Sequence, residues 1–155
     1  MAKMIKVGMA DLNICHTPDA ITTLGLGSCV GVALYDKTTK IAGLVHVMLP
    51  DSTKVRQNQN TVIDYLIELL EKEGARKSSL TAKIAGGAQM FAFSSNNDML
   101  RVGERNVEAV KEKLKSIGIR ILAEDTGLNY GRTVEFYPET GDFVIKSVGK
   151  PVKTI

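Results

Sequence analysis

Two runs of strand-forming residues on either side of a short polar turn restrict the fold more than any other feature of this sequence. The runs cover 29–35 and 41–49, and the polar residues 36–39 separate them. Runs of this kind joined by a turn of this length are typical of a β-hairpin. A second hairpin is predicted near the end of the chain, with strands over 133–137 and 143–148 around a Pro-Glu-Thr-Gly-Asp turn. The fold must therefore contain antiparallel sheet.

Two helices are predicted beside these strands. The first covers 61–73, where Thr61 and Asp64 resemble a capping box, and the second covers about 104–117 and ends at Gly118. The remaining predicted features are early strands within 4–15, a turn at 17–19, a strand end at 50–52, strands over 81–85 and 119–123, and a polar loop over 93–98. Hairpins combined with two main helices indicate an α+β fold with a largely antiparallel sheet.

The length and composition indicate a single domain that spans residues 1–155. The chain has 155 residues, of which 44% are hydrophobic, and a chain of this size buries about two-thirds of its surface on folding. Neither a disulfide nor a structural metal is needed for stability. The two cysteines are expected to be free thiols, since the first residues lack the apolar core of a signal peptide and we expect a cytoplasmic protein.

The charge distribution argues against nucleic-acid and membrane partners. There are 20 Lys and Arg residues against 17 Asp and Glu, which gives a formal charge of only +3. Trp is absent and there are only 4 Phe and 4 Tyr, so base-stacking surfaces are poorly supported. The apolar runs are also too short to insert across a bilayer.

Cys29 and His46 are the candidate catalytic pair. A cysteine nucleophile needs a base or positive group nearby, and a histidine is the usual one. Closing the hairpin around residues 36–39 pairs Tyr35 with Lys40, and the same register pairs Cys29 with His46. This register also gathers the apolar residues of both strands on one face. Directly opposed residues have β-carbons about 4.5–5.5 Å apart, so the thiol and the imidazole can meet.

A glycine-rich segment precedes Cys29 and favours it as the nucleophile. Gly25 and Gly27 permit backbone conformations closed to other residues and let a substrate approach the main chain. With Ser28 they form the candidate substrate and oxyanion loop, where the Cys29 amide can donate to an oxyanion. A dinucleotide-binding interpretation is disfavoured, because the segment lacks a third glycine and precedes a strand rather than a helix.

Structural interpretations compete with catalysis at these positions. A buried cysteine often serves packing alone, and a histidine on a strand is often a hydrogen-bonded core residue. Cys15 and His16 point to opposite faces of a strand and are expected to be structural. All four residues together could bind zinc, but their spacing matches no common zinc-finger pattern.

The sequence resembles the CheD family of chemoreceptor glutamine deamidases along nearly its whole length. The matching segments, in chain order, are TLGLGSC over 23–29, AGLVHVMLPDS over 42–52, KIAGGA over 83–88, VGERN over 102–106 and AEDTG over 123–127. One departure is Leu128, where the family usually has a second glycine.

This resemblance implies a fold, a mechanism and partners. Cys29 would be the nucleophile, His46 the general base, and Thr23 the residue that orients the imidazole. The implied fold is a layered α/β sandwich similar to the catalytic domain of deamidating bacterial toxins. The implied activity converts glutamines of chemoreceptors, the methyl-accepting chemotaxis proteins, to glutamates without a metal or cofactor, and extends to glutamate methyl esters.

The resemblance also implies binding to the phosphatase CheC. We expect CheC and the receptor to compete for the surface around Cys29, with Leu24 and Leu26 as apolar contacts if they are exposed. An alternative from a different class is a non-catalytic chemotaxis adaptor that binds CheC and receptors and carries a vestigial Cys–His pair.

Overall fold

The computed structural model describes residues 2–47, 55–89 and 102–155. These residues form ten strands, two α-helices and one short 3-10 helix over Lys77–Ser79. The strands are β1 Met4–Val7, β2 Leu12–His16, β3 Ala20–Leu26, β4 Val30–Asp36, β5 Ile41–Val47, β6 Leu80–Gly86, β7 Arg120–Thr126, β8 Arg132–Tyr137, β9 Asp142–Lys146 and β10 Lys153–Thr154. The helices are α1 Val55–Lys72 and α2 Val102–Ser116.

The strands form two five-stranded sheets. The first has the order β1-β3-β8-β9-β10 and the second has the order β2-β5-β4-β6-β7. Within the described residues, only β1 with β3 and β6 with β7 pair in parallel, and the other six pairs are antiparallel. The predicted α+β class with largely antiparallel sheet is confirmed.

The second sheet is the middle layer, because each of its faces is covered. One face presents Val30, Val32 and Val45 to the apolar faces of the two helices. The opposite face presents Ala33 and Leu44 to the first sheet, whose contribution to this core includes the buried residues Ile21, Leu26, Val134, Phe136 and Phe143. Helices, second sheet and first sheet therefore form the three layers of a sandwich.

The first hairpin forms as predicted, but its register differs from the prediction by two residues. Asp36 pairs with Ile41, and Gly31, not Cys29, lies opposite His46. The reason is Asp36, which the prediction placed in the turn. Its buried carboxylate accepts hydrogen bonds from the Thr38 amide at 2.9 Å and the Arg76 amide at 3.0 Å, so it ends the strand and the turn moves on to residues 37–40.

A register error of two residues preserves which side chains share a face, because side chains alternate along a strand. The predicted apolar face is accordingly confirmed, with Val30, Val32 and Leu34 packing beside Ile41 and Val45. The hairpin of β8 and β9 and the strands β6 and β7 are confirmed as well.

The prediction for the start of α1 is wrong. The helix begins at Val55, so Thr61 lies inside it and forms no capping box at its N-terminus. Residues 55–60 are mostly polar and carry no apolar period, which is why the pattern did not reveal this part of the helix. The predicted strand end at 50–52 and the polar loop at 93–98 lie outside the described residues.

Candidate active site

A buried hydrogen bond joins Thr23 of the first sheet to His46 of the second. The Thr23 Oγ1 atom lies 2.7 Å from His46 Nδ1, and the same hydroxyl donates to the carbonyl oxygen of Val7 at 2.8 Å. Both side chains are 1% exposed. Parallel pairing of β1 with β3 brings Val7 beside Thr23, and stacking of the sheets brings His46 above them.

This hydrogen-bond pattern assigns the tautomer of His46. A hydroxyl has one proton to donate, and a carbonyl oxygen can only accept. The Thr23 proton therefore goes to Val7, and Thr23 must accept the proton of His46 Nδ1. In the neutral ring, Nε2 then carries the free lone pair.

The Nε2 atom of His46 is placed to take up a proton. It is buried and has no hydrogen-bond partner among the residues that the structure describes. Burial also lowers the pKa of His46 below its ordinary value of 6.5, because desolvation penalises the imidazolium. The ring is therefore neutral at neutral pH.

Cys29 lies directly before β4 and on the same side of the sheet as His46. Gly31 is opposite His46, and Cys29 precedes Gly31 by two residues, which makes it a diagonal neighbour of the histidine. Diagonal neighbours in a sheet are about 7–8 Å apart, within reach of long side chains. A Cβ at Gly31 would lie 3.0 Å from Leu26, so a glycine at this position lets the Leu26 side chain of the first sheet pack closely against β4.

The two cysteines differ in environment. Burial raises the pKa of the Cys29 thiol, and its own backbone amide partly opposes that effect. Burial and the Asp19 carboxylate raise the pKa of Cys15 to about 12. Neither thiol is ionised at rest. Cys15 lies on the same sheet face as His46 but opposite Ala42, four residues along β5, whereas Cys29 is a diagonal neighbour of the histidine.

The glycine-rich segment forms the end of β3 and the bend before Cys29. A bulge in the pairing of β3 with β8 falls between Thr23 and Leu26. Gly25 lies in this bulge with a φ of 69°, a left-handed conformation that glycine adopts without strain. Gly27 and Ser28 form the bend that leads to Cys29.

The expected structural roles of Cys15 and His16 agree with their positions. The Cys15 side chain is buried, whereas His16 is exposed and its Nε2 atom lies 3.3 Å from a carboxylate oxygen of Glu73. Within the three described segments, no group of three or more histidine, cysteine, aspartate or glutamate side chains is arranged to hold a metal ion.

Leu128 stands where the family usually has a glycine, and its backbone adopts the left-handed conformation that favours glycine. It adopts a φ of 60° and its side chain is 64% exposed. Arg132 supports this loop from inside, donating to the carbonyl oxygens of Gly127 at 3.1 Å and Tyr130 at 3.3 Å and to Asp125 at 3.1 Å. Sequence reasoning assigned no role to this buried arginine.

Neither helix is long and apolar enough to cross a membrane in the part of the chain that the structure describes.

The fold and the site together define a class: a three-layer α+β protein in which a threonine hydroxyl orients a buried imidazole on the sheet face that also carries a cysteine. The family model described as CheD chemotactic sensory transduction matches residues 48–147. The chain belongs to the CheD family.

Relatives with high identity extend over the whole chain. "Probable chemoreceptor glutamine deamidase CheD" of Lachnoclostridium phytofermentans is 68% identical and covers 100% of both chains. "Chemoreceptor glutamine deamidase CheD" of Halalkalibacterium halodurans is 53% identical and also covers 100% of both.

Solved structures resemble the fold at low sequence identity. A Neisseria meningitidis protein described as DUF152 is 12% identical with a TM-score of 0.50, and the match covers 82% of this chain and 64% of that one. The C-terminal domain of CNFy from Yersinia pseudotuberculosis is 13% identical with a TM-score of 0.47, covering 98% of this chain and 61% of that one.

Proposed function

We propose that this protein is a chemoreceptor glutamine deamidase that hydrolyses receptor glutamine side chains to glutamate through Cys29. The observation that carries the proposal is the hydrogen bond between Thr23 and His46, since it leaves the Nε2 lone pair of His46 free on the sheet face of Cys29. The names of full-length relatives supply the reaction and the class of substrate. The predicted cytoplasmic location and single-domain organisation stay predictions.

The proposed first half-reaction forms a thioester and releases ammonia. Cys29 Sγ attacks the side-chain amide carbon while its proton moves to His46 Nε2, because burial disfavours a free thiolate at rest. The amides of Ser28 and Cys29 donate to the oxyanion of the tetrahedral intermediate. Protonated His46 then gives its proton to the departing nitrogen, and the C–N bond breaks.

The second half-reaction hydrolyses the thioester. Neutral His46 accepts a proton from water as the water oxygen attacks the thioester carbon. The C–S bond breaks, the proton returns from His46 to the Cys29 sulfur, and glutamate is released. We extend the proposal to glutamate methyl esters, since attack on an ester passes through the same kind of intermediate with methanol as the leaving group.

The test of this function is mass spectrometry of a receptor cytoplasmic helix incubated with the protein. Deamidation replaces an NH₂ group by OH, so the modified peptide gains a measurable mass at identifiable glutamines. A non-catalytic adaptor would bind the same helix and leave every peptide mass unchanged. Unchanged masses at saturating protein would therefore reject the deamidase and favour the adaptor.

We also propose that the phosphatase CheC competes with the receptor for the surface beside Cys29. A stable interface covers about 800 Å² on each partner, which is a large share of a small domain's surface. Leu24 follows Thr23 directly and is 63% exposed, so it is available as an apolar contact. Leu26 is fully buried and is therefore unavailable, so the proposal depends on Leu24 alone.

Increasing CheC is expected to slow deamidation of the receptor helix, and Leu24→Ser should weaken that inhibition. The measurement is the initial deamidation rate at fixed receptor and increasing CheC for both proteins. Leu122→Ser is a matched control, since Leu122 is half-exposed on β7 rather than on the segment before Cys29. Undiminished turnover at saturating CheC would rule out a shared surface and favour docking on α1 or α2.

A further inference from the structure

Three successive carbonyl groups of the bend at residues 27–29 accept hydrogen bonds from one block of the structure. This block consists of residues 86–88, where β6 ends, and residues 103–106 of α2, which pack against each other. The donors are the Ala88 amide to Gly27, the Asn106 side-chain amide to Ser28 and the Gly87 amide to Cys29, each at 2.8 Å. The first and third donors belong to the turn after β6, and Asn106 belongs to α2.

This block can approach the bend only because three of its residues are glycines. A Cβ at Gly86 would lie 2.3 Å from the Cys29 carbonyl oxygen, and a Cβ at Gly87 would lie 2.2 Å from Val107. A Cβ at Gly103 would lie 2.4 Å from the Ala88 carbonyl oxygen. The turn after β6 is thus packed tightly between the bend and the first residues of α2.

Holding these carbonyls determines where the amides of the bend point. A trans peptide unit is planar, so the N–H of one residue points away from the carbonyl oxygen of the residue before it. The hydrogen bond to the Gly27 carbonyl directs the Ser28 amide away from the block, and the hydrogen bond to the Ser28 carbonyl does the same for the Cys29 amide. Among the described residues, neither amide donates to a backbone carbonyl.

Asn106 is the one side chain in this arrangement. It is fully buried, and its Nδ2 atom bonds the carbonyl of the same peptide unit that carries the Cys29 amide. The other two donors are backbone groups of a turn that its own packing already holds. The orientation of the 28–29 peptide unit therefore depends on a side chain that can be changed.

We propose that Asn106 is a positioning residue for the oxyanion site: by holding the Ser28 carbonyl, it directs the Cys29 amide toward the substrate oxyanion. This inference rests on the proposed deamidase function and adds a residue that does not touch the substrate. It also gives a physical role to the VGERN segment, of which Asn106 is the last residue.

Asn106→Ala and Asn106→Asp test the proposal. Aspartate has nearly the shape of asparagine, but its ionised carboxylate only accepts hydrogen bonds and cannot hold a carbonyl. Loss of an oxyanion donor costs about 10²–10³-fold in kcat, and a donor that is merely released should cost about 10- to 100-fold. KM for the receptor helix should change little.

The alkylation rate of Cys29 by iodoacetamide separates positioning from loss of structure. Alkylation displaces iodide at a saturated carbon and forms no oxyanion, so both variants should react at nearly the wild-type rate. If a substitution disordered the site as a whole, the alkylation rate of Cys29 would change as well as kcat. Val110→Ala is the matched control, because Val110 is fully buried on α2 but forms no hydrogen bond to the bend; it should lower stability and leave kcat unchanged.

An aldehyde analogue gives a second readout. A receptor peptide with glutamic γ-semialdehyde in place of glutamine adds the Cys29 thiol across its carbonyl, and its Kd should rise in the variants by the factor lost in kcat/KM. In the wild-type protein its binding should shift the ¹⁵N resonance of the Asn106 side chain, a measurement that needs no variant to fold.

Wild-type kcat in either folded variant, or no resonance shift in the wild-type protein, would overturn the role of Asn106. A fall in kcat matched by an equal change in alkylation would do the same. If the wild-type protein itself leaves receptor glutamines unchanged, the proposed function fails instead, so the two failures are distinguishable.

Discussion

Cys29→Ala is expected to abolish deamidation, whereas Cys15→Ala should retain it. Cys29 is a diagonal neighbour of His46, whose Nε2 atom has no hydrogen-bond partner among the described residues. Burial and Asp19 raise the pKa of Cys15 to about 12, so this thiol is not ionised at neutral pH. The measurements are the deamidation rate of a receptor helix by mass spectrometry and the order in which limiting iodoacetamide modifies the two thiols. Cys29 should be modified first, with activity lost in proportion.

The same experiment contains its own control. Cys15 is buried like Cys29, so Cys15→Ala reports the effect of removing a buried thiol without removing the nucleophile. If activity is lost through Cys15, or if the Cys29→Ala protein still deamidates, the assignment of the nucleophile is wrong.

His46→Ala is expected to lower kcat by about 10²–10⁴-fold, since a positioned general base contributes this much. Thr23→Ala should lower kcat by less, because Thr23 only orients the ring, and Thr23→Ser should recover most of the loss by restoring the hydroxyl. Initial rates are compared for proteins that circular dichroism shows to be folded. A fully active His46→Ala protein would refute the role of base.

The pH profile tests the protonation states directly. Activity should rise with pH as His46 loses its proton, with a midpoint below 6.5 because burial lowers the pKa of this imidazole. Burial raises the pKa of Cys29 above 9.0, so between these limits both groups are neutral and kcat/KM should be flat. A resting ion pair of thiolate and imidazolium would instead lose activity as the imidazolium deprotonates.

The candidate pair could be predicted from sequence because it depends on strand alternation. Cys29 and His46 lie on the same face in the predicted register and in the observed one, which differ by two residues. The error came from Asp36, whose polar character suggests a turn, whereas its hydrogen bonds to Thr38 and Arg76 place it at the end of the strand. The Arg76 contact is distant in sequence and leaves no local pattern.

Thr23 could not be derived from the pattern of the residues and entered only through the family resemblance. Thr23 and His46 belong to different sheets, and periodicity along one strand does not say which residue of another sheet it will face. The same holds for Leu24 and Leu26, which alternate with glycines in the sequence. Packing of the two sheets buries Leu26 and leaves Leu24 in solvent.

Which nitrogen of His46 carries the proton depends on the carbonyl group of Val7, a residue at the edge of the first sheet. Its strand, β1, is one of the two edge strands of the first sheet and pairs with β3 over four residues. Peripheral strands open at a lower free energy than the whole fold. Once β1 detaches, the Thr23 hydroxyl is free to donate to Nδ1, which moves the ring proton to Nε2 and removes the base. Fraying of the first few residues would therefore be expected to abolish the proposed activity, although Cys29, His46 and most of the core keep their positions.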